Sequence, residues 1–442
     1  MTSPTSRREF LGVTAAAAAS GWAGASLFAA GASATPGPND TIHLGIIGCG
    51  ARCQETLPSF MKLPGVQVAA VCDVHSGHLA GIRNMAGGEK VRAYHDFRKL
   101  LEDKSIDAVV VSTNAHWHVL CTIHACQAGK DVYVEKPLGN FVGEGRFAVA
   151  AARKYGRIVQ IGTQQRSRAH YRKAAEIIQS GRLGEISEVK VWDYENWTPG
   201  RGAPPDCDPP KELDWDFYVG PSPMMPYNPN CYYDYGYDWF KLSGGGHQVA
   251  WGVHHFDIVH WAMGVRWPKA VSAGGGKFAF PHDNRQWPDT FSAVVEYGPG
   301  PVAKNGFLLQ YTMRIGSRHE HRSHAKCFYG TEATLMIDRS RFTIVGETPR
   351  DGKKAVPDVE VLADQDEYHH QQVFLDNVRN RTKPFADVEV GNCSSNVGHL
   401  MNVAYEVGRK IRWDGQREQV IGDAAANARV HRTYRAPWKL EV

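Results

Sequence analysis

The chain has 442 residues, 43% hydrophobic and 22% charged, which is more than one hydrophobic core usually organises, so two globular domains are expected. A net charge of +4, with Lys and Arg dispersed along the chain, excludes the concentrated basic face of a nucleic-acid or anionic-membrane binder. The nine cysteines show no paired C-x-x-C spacing, which excludes a zinc ribbon and a disulfide framework.

The N-terminus reads Ser6-Arg7-Arg8-Glu9-Phe10-Leu11, then an Ala-rich apolar run from Val13 to Ala30, then Ala32-Ser33-Ala34. A charged region, an apolar region and a small-x-small site predict a removable export signal over residues 1–34. The paired arginines with Phe-Leu behind them give it twin-arginine character, so the export machinery is an expected partner and the periplasm, or another exported location, the expected compartment. The run is too short and too weakly apolar for a membrane span, and no other stretch approaches one. Residues 35–40 form a Pro/Gly linker.

A first domain is expected over residues 41–165. Ile42 to Ile47 reads as a strand, with a helix after Gly50. Val66 to Cys72 is a second strand ending at Asp73, and Asp107 to Ser112 a third apolar run of the parallel-sheet kind. A helix through Ala128, a strand at Val132 to Val134 and another at Arg157 to Ile161 complete a series whose alternation predicts a doubly wound α/β sheet. Residues 166–442 read as an α+β domain with a large, mostly antiparallel sheet. It begins with a helix over 169–180 and a strand over 187–194. An aromatic-rich loop region over 197–240 is too long for an ordinary connection. A helix over 253–263 follows, then strands near 290–297, 306–315, 324–330, 333–337 and 342–345. Helices over 367–380 and 394–409 precede an irregular tail.

Gly45-x-x-Gly48-x-Gly50-x-x-Cys53 follows a strand and opens a helix, where glycines allow close backbone approach to a pyrophosphate held at the helix N-terminus. Asp73 lies 20 residues beyond Cys53, where an acid accepts the adenosine-ribose hydroxyls and repels a 2′-phosphate. NAD is therefore the expected cofactor, with Arg52 leaving NADP open. Thr113, Asn114 and His118 follow the third strand and are expected at the same crevice; the alternative is a helix cap at Thr113 or Asn114 with an incidental aromatic. Lys136 lies at the carboxyl end of the strand Val132 to Val134, just before Pro137, so it is aimed at the dinucleotide crevice that lies outside strand carboxyl ends. The His247, His254, His255, Asp257 and His260 group matches no tight ligand spacing, and no metal is expected. The Trp192 to Trp239 segment suits packing on sugar rings, with Trp215 the leading residue, although core packing explains many of these rings.

Glu135-Lys136-Pro137, preceded by Gly129-Lys130-Asp131-Val132, resembles the signature of the glucose–fructose oxidoreductase/inositol dehydrogenase (Gfo/Idh/MocA) family. Gly162-Thr163-Gln164-Gln165-Arg166-Ser167, Leu213-Asp214-Trp215-Asp216, Trp251-Gly252-Val253-His254-His255-Phe256-Asp257, Gly330-Thr331-Glu332 and Lys383-Pro384-Phe385-Ala386-Asp387 extend the resemblance over most of the mature chain. The resemblance implies a Rossmann domain followed by a domain whose open sheet mediates a homo-oligomer, a dimer or tetramer. It implies catalysis by Lys136 and His254, with Asp257 three residues on along the same helix face. It assigns Gly48, Gly50, Ala51, Arg52, Asp73, Thr113, Asn114, His118, Glu135, Lys136 and Gln164 to the cofactor, and Gln165, Arg166, Trp215 and His255 to the substrate.

One position departs from the pattern: the aspartate usual four residues before the histidine is Ala250. Gln248 or Asp257 are the candidate substitutes. The leading expectation is an exported NAD(P)-dependent oxidoreductase acting on a sugar, polyol or related carbohydrate. The alternative is an NAD-dependent glycoside hydrolase that oxidises, eliminates, hydrates and reduces back. A carbohydrate-binding or assembly protein with a structural cofactor is a third reading, disfavoured by Lys136 and His254 together.

Overall fold

The computed structural model describes residues 41–233, 235–363 and 369–442, so the export signal and linker expected over 1–40 lie outside the described residues. Six parallel strands run β1 (Ile42–Ile47), β2 (Val66–Cys72), β3 (Arg92–Tyr94), β4 (Ala108–Val111), β5 (Asp131–Val134) and β6 (Val159–Ile161). Their order is β3-β2-β1-β4-β5-β6, which reverses direction at β1/β4. The intervening helices are α1 (Ala51–Met61), α2 (Ser76–Ala86), α3 (Phe97–Glu102), α4 (Ala115–Gln127) and α5 (Gly145–Lys154). β4 and β5 are buried along their whole length. That is the pattern of central strands covered by helices on both faces. Sequence reading missed α2, β3, α3 and α5. β3 is short and not buried, so it lacks the apolar run that marks the others.

The second domain begins with α6 (Ala169–Gln179) and β7 (Ile186–Tyr194). Four short helices follow: α7 (Trp215–Val219), α8 (Pro229–Tyr232), α9 (His247–Ala250) and α10 (Gly252–Met263). Next come β8 (Ala270–Gly276), β9 (Thr290–Tyr297), β10 (Phe307–Arg314), β11 (His324–Gly330), β12 (Ala333–Ile337), β13 (Arg341–Gly346) and β14 (Val359–Leu362). The chain ends with α11 (His369–Asn380), α12 (Val388–Val407), β15 (Ile411–Asp414), β16 (Gln419–Val420) and α13 (Ala424–Asn427). The ten strands form one sheet in the order β14-β13-β12-β11-β7-β10-β9-β8-β15-β16. All its pairs are antiparallel except β7 with β10. One face carries the largest core, where Phe256, Tyr311, Leu400 and Met401 meet.

Two expectations change. The last long helix begins at Val388 rather than near 394, because Asp387 caps it by accepting from Glu389 N–H. The tail is not wholly irregular, since it contributes β15 and β16. It also completes the Rossmann domain: Phe374, Leu375 and Val378 of α11 sit in the core beside Leu44, Phe60 and Tyr133. Tyr434, Trp438, Leu440 and Val442 pack against the opposite face. Trp438 lies 4.7 Å from Trp117 and 5.6 Å from Phe217, ring centre to ring centre.

Because Trp438 is half-buried against aromatics of the nucleotide domain, Trp438→Ala is expected to cost about 2 kcal/mol, below the range for a fully buried Trp. Guanidinium unfolding of the cofactor-free protein measures this; an unchanged midpoint would show that the tail is dispensable.

Candidate active site

The carboxyl ends of β1, β2 and β4 converge on a cleft of about 330 Å³. Gly48, Gly50, Ala51, Arg52, Asp73, Thr113 and Asn114 all line it, so the structure gathers seven of the residues expected at the cofactor in one wall. Gly48 has φ +90°, and a Cβ there would come within 2.7 Å of Ser112 C and Thr113 N. The turn therefore lies against the end of β4, where no side chain fits and a phosphate can approach backbone. α1 starts at Ala51, directing its free N–H groups and positive end into the cleft. The arrangement fits a dinucleotide.

Asp73 accepts from Cys49 N–H at 2.5 Å and His75 N–H at 2.7 Å, which fixes both carboxylate oxygens at the end of β2. Burial pushes its carboxyl up, and those two donors oppose the shift.

The second domain roofs the cleft. Phe217, Tyr218, Tyr232, Tyr233, Tyr235 and Tyr237 line its outer side. Ser76 N–H donates to Glu212 O (2.9 Å), and Asp214 N–H to Val74 O (3.0 Å). Tyr235 donates its hydroxyl to Glu55 on α1 (3.0 Å), and Asn114 donates its amide N–H to the Tyr218 hydroxyl. The long aromatic segment is thus stitched to the nucleotide domain.

Behind the cleft lies a buried chain of charges. Arg52 pairs with Glu135 at 2.9 Å, and Glu135 is 3% exposed. Gln164 donates to the same carboxylate and to the Tyr133 hydroxyl, both at 3.3 Å. Burial alone would raise the Glu135 carboxyl, but Arg52 and Lys136 outweigh it and hold it below its ordinary value. Lys136 follows β5 and donates from Nζ to Ala250 O at 3.1 Å. The position that lacks the expected aspartate side chain therefore still holds the lysine through its backbone. His254 is buried one turn along, its ring 5.7 Å from that of Trp251.

Burial lowers Lys136, with Asp238 and Glu135 opposing. Burial also lowers His254, reinforced by Lys136 and Arg339. The imidazole is therefore neutral near neutral pH and able to accept a proton.

Other predicted residues have different surroundings. His118 lies between the carbonyls of Pro137 (2.7 Å) and Thr113 (2.8 Å), inside the domain rather than on the cleft wall. Trp215 is in the core, donating Nε1–H to Met225 O and stacking on Tyr218. Asp257 and Arg166 form a buried ion pair at 2.7 Å, which neutralises both away from the cleft. Gln165 accepts from the buried Lys326 at 2.8 Å. His255 is fully buried, and neither ring nitrogen has a partner among the described residues. Gln248 donates to Asn402 (2.6 Å), so neither it nor Asp257 replaces the missing aspartate.

Sequence reading missed Asp238, the carboxylate acting most strongly on Lys136. Burial pushes it up to about 6, while Lys136 and His247 oppose. It sits in the long loop, twelve residues before Ala250, and no spacing rule points to it. All nine cysteines are free and only Cys207 is exposed. Among the described residues there is no His/Cys/Asp/Glu cluster suited to a metal and no helix long and apolar enough to cross a membrane.

A six-stranded Rossmann sheet with an acid after β2 and a lysine after β5 defines an NAD-binding oxidoreductase. The chain belongs to the Gfo/Idh/MocA family: the model for the oxidoreductase family's NAD-binding Rossmann fold matches residues 42–163, and that for its C-terminal alpha/beta domain matches residues 345–440. An uncharacterized oxidoreductase of Bacillus subtilis, YrbE, is 28% identical over 366 residues, 81% of this chain and 90% of that one. The myo-inositol 2-dehydrogenase of Thermotoga maritima is 21% identical over 384 residues, 86% of this chain and 100% of that enzyme. The crystal structure of the WlbA dehydrogenase from Bordetella pertussis, in complex with NADH and UDP-GlcNAcA, shares the fold with a TM-score of 0.64 at 18% identity. It covers 85% of this chain and 99% of that one.

Asp73→Ala removes a fixed, charged acceptor at the end of β2. It is expected to raise the NAD dissociation constant about 10–100-fold, the worth of one or two charge-assisted hydrogen bonds. Titration of the protein with NAD, followed by calorimetry, checks this; unchanged affinity would remove Asp73 from the cofactor site.

Proposed function

We propose that this protein is an exported dehydrogenase that oxidises a secondary hydroxyl of a sugar or polyol, with Lys136 and His254 at the reacting carbon. The observation that carries this reading is the meeting of the β5-end lysine with the end of α9: Lys136 bonds Ala250 O, four residues before the buried His254. The relationship to a myo-inositol 2-dehydrogenase over that enzyme's full length supports a polyhydroxylated substrate.

NAD bound in the cleft supplies the acceptor for the hydride that the carbinol carbon loses. His254, neutral because burial and Lys136 keep it so, takes the hydroxyl proton as the carbonyl forms. Lys136 holds that oxygen and stabilises its developing charge. The Ala250 carbonyl, with the negative field of Asp238, keeps the lysine aimed.

A transient oxidation serving glycoside hydrolysis is the second reading. Ala250 favours it, since no carboxylate orients His254, whose Nδ1 is buried without a partner among the described residues. Incubation with sugars, polyols and glycosides separates the two. Reduced nicotinamide accumulates in the first case, and aglycone is released without net reduction in the second.

Lys136→Ala and His254→Ala are each expected to lower kcat about 10²–10⁴-fold. For wild type, kcat/KM should fall on the acid side only below pH 6.5, because protonation of His254 is displaced downward. It should fall on the alkaline side before pH 10.5, because Lys136 loses its charge early. Wild-type activity in Lys136→Ala, or no reduced cofactor with any carbohydrate, overturns the assignment.

The export part of the proposal rests on Arg7, Arg8 and the Ala-rich run behind them. Its companion is retention of NAD, which a periplasm cannot readily replace, and the tyrosine roof stitched across the cleft supports retention. Replacing both arginines by lysine is expected to leave the protein in the cytoplasmic fraction, as immunoblots of fractionated cells would reveal. Unchanged export overturns the twin-arginine reading.

A further inference from the structure

The turn between β12 and β13 is locked from several sides. Asp338 Oδ1 accepts from Ser340 N–H (2.7 Å), the Ser340 hydroxyl (2.7 Å) and Arg341 N–H (3.0 Å). Its other oxygen pairs with Arg322 at 2.9 Å, and its carbonyl accepts from His170 Nε2–H at 3.1 Å. The next residue, Arg339, is solvent-accessible and lies with its guanidinium 4.4 Å from the centre of the Trp251 ring. Trp251 in turn adjoins His254 (5.7 Å) and His324 (6.1 Å). A rigid hairpin therefore sets an arginine beside the proton-accepting histidine.

Arg339 has no counter-ion: among the described residues no carboxylate lies within ion-pair distance of it, whereas Arg322 and Arg341 on either side of it are paired. Its surroundings are short of negative charge. Among the described residues Lys326 is fully buried and bonded to the neutral Gln165 and Tyr171, and the nearby Asp193 lies 2.8 Å from His247 while also acting on Arg339 and Lys326. After burial, Arg339 is among the charges that hold Lys136, His254 and Lys326 below their ordinary values, so the groups share one field. The phosphates of the dinucleotide do not explain it, because no residue of the hairpin lines the cofactor cleft.

A guanidinium stacked on an indole keeps its edge donors free in one plane, which matches the two oxygens of a carboxylate. Asp238 supplies a negative charge near Lys136 and is not among the groups that act on Arg339. A neutral sugar would not supply the missing charge.

We propose that the substrate is a carbohydrate acid, a uronate or aldonate, whose carboxylate is received by Arg339 while a ring or chain hydroxyl faces Lys136 and His254. This rests on the dehydrogenase reading above and names its substrate class.

The test uses the NAD-loaded protein with D-glucuronate and D-galacturonate, each paired with its parent aldose and the aldose 6-phosphate. Binding is measured by calorimetry and turnover by reduced nicotinamide. The expected result is preference for the acid in at least one pair. Arg339→Leu should then raise KM for that acid about 10–100-fold, the worth of a charge-assisted bidentate contact, with a clearly smaller loss for the aldose. Arg339→Lys should recover part of the loss, which a fold defect would not allow. Aldoses or sugar phosphates equal to or better than the acids, or equal losses for acid and aldose in Arg339→Leu, overturn the inference and leave the dehydrogenase reading intact. Arg339-dependent binding of an acid without reduction of NAD overturns the dehydrogenase reading and leaves the inference standing.

Discussion

The buried carboxylate of Glu135, held between Arg52 and Lys136, is the constraint on which the site depends. A carboxylate this deeply enclosed is tolerated only while it is paired and hydrogen-bonded. Arg52 comes from the helix that opens the nucleotide cleft, and Lys136 follows the end of β5. One acid therefore fixes the cation of the cleft wall and the lysine after β5 relative to each other. Gln164, after β6, closes the same network from the far side. The relative placement of Arg52 and Lys136 is thus set by electrostatics at the carboxyl ends of β1, β5 and β6.

The division of labour between domains is less simple than a nucleotide half and a substrate half. Tyrosines of the second domain cover the nucleotide cleft, and the backbone of α9 positions a lysine of the first. Aromatic rings suit this work: each buries a large apolar face and keeps a hydroxyl for a fixed partner, as Tyr235 does with Glu55. The roof adds contacts that cover the cleft, while the hairpin bearing Arg339 stays outside it, against Trp251.

Much of this was legible in the sequence because the signals are local. Gly48, Asp73 and Lys136 sit at strand ends, and a strand end in a doubly wound sheet has one destination. The long central elements were legible for the same reason, since β4 and β5 read as unbroken apolar runs. What escaped was long-range. Asp238 reaches Lys136 through an irregular loop, and Arg339 reaches Trp251 from a hairpin almost ninety residues downstream. Trp215 suited a sugar-binding ring by type, yet its indole N–H is spent on Met225 O in the core. The early start of α12 was carried by a single cap, Asp387, which follows Lys383-Pro384-Phe385-Ala386 and was read as part of a motif instead.

The docking of Trp438, Leu440 and Val442 on the first domain has a consequence for biogenesis. The strands that cradle the nucleotide emerge early in synthesis, but residues that complete one face of their core lie far downstream of them. At about 5–20 residues per second, that leaves the nascent half-finished for tens of seconds. Formation of the nucleotide site is then coupled to arrival of this distant segment: a product truncated before Trp438 would present an unfinished nucleotide fold.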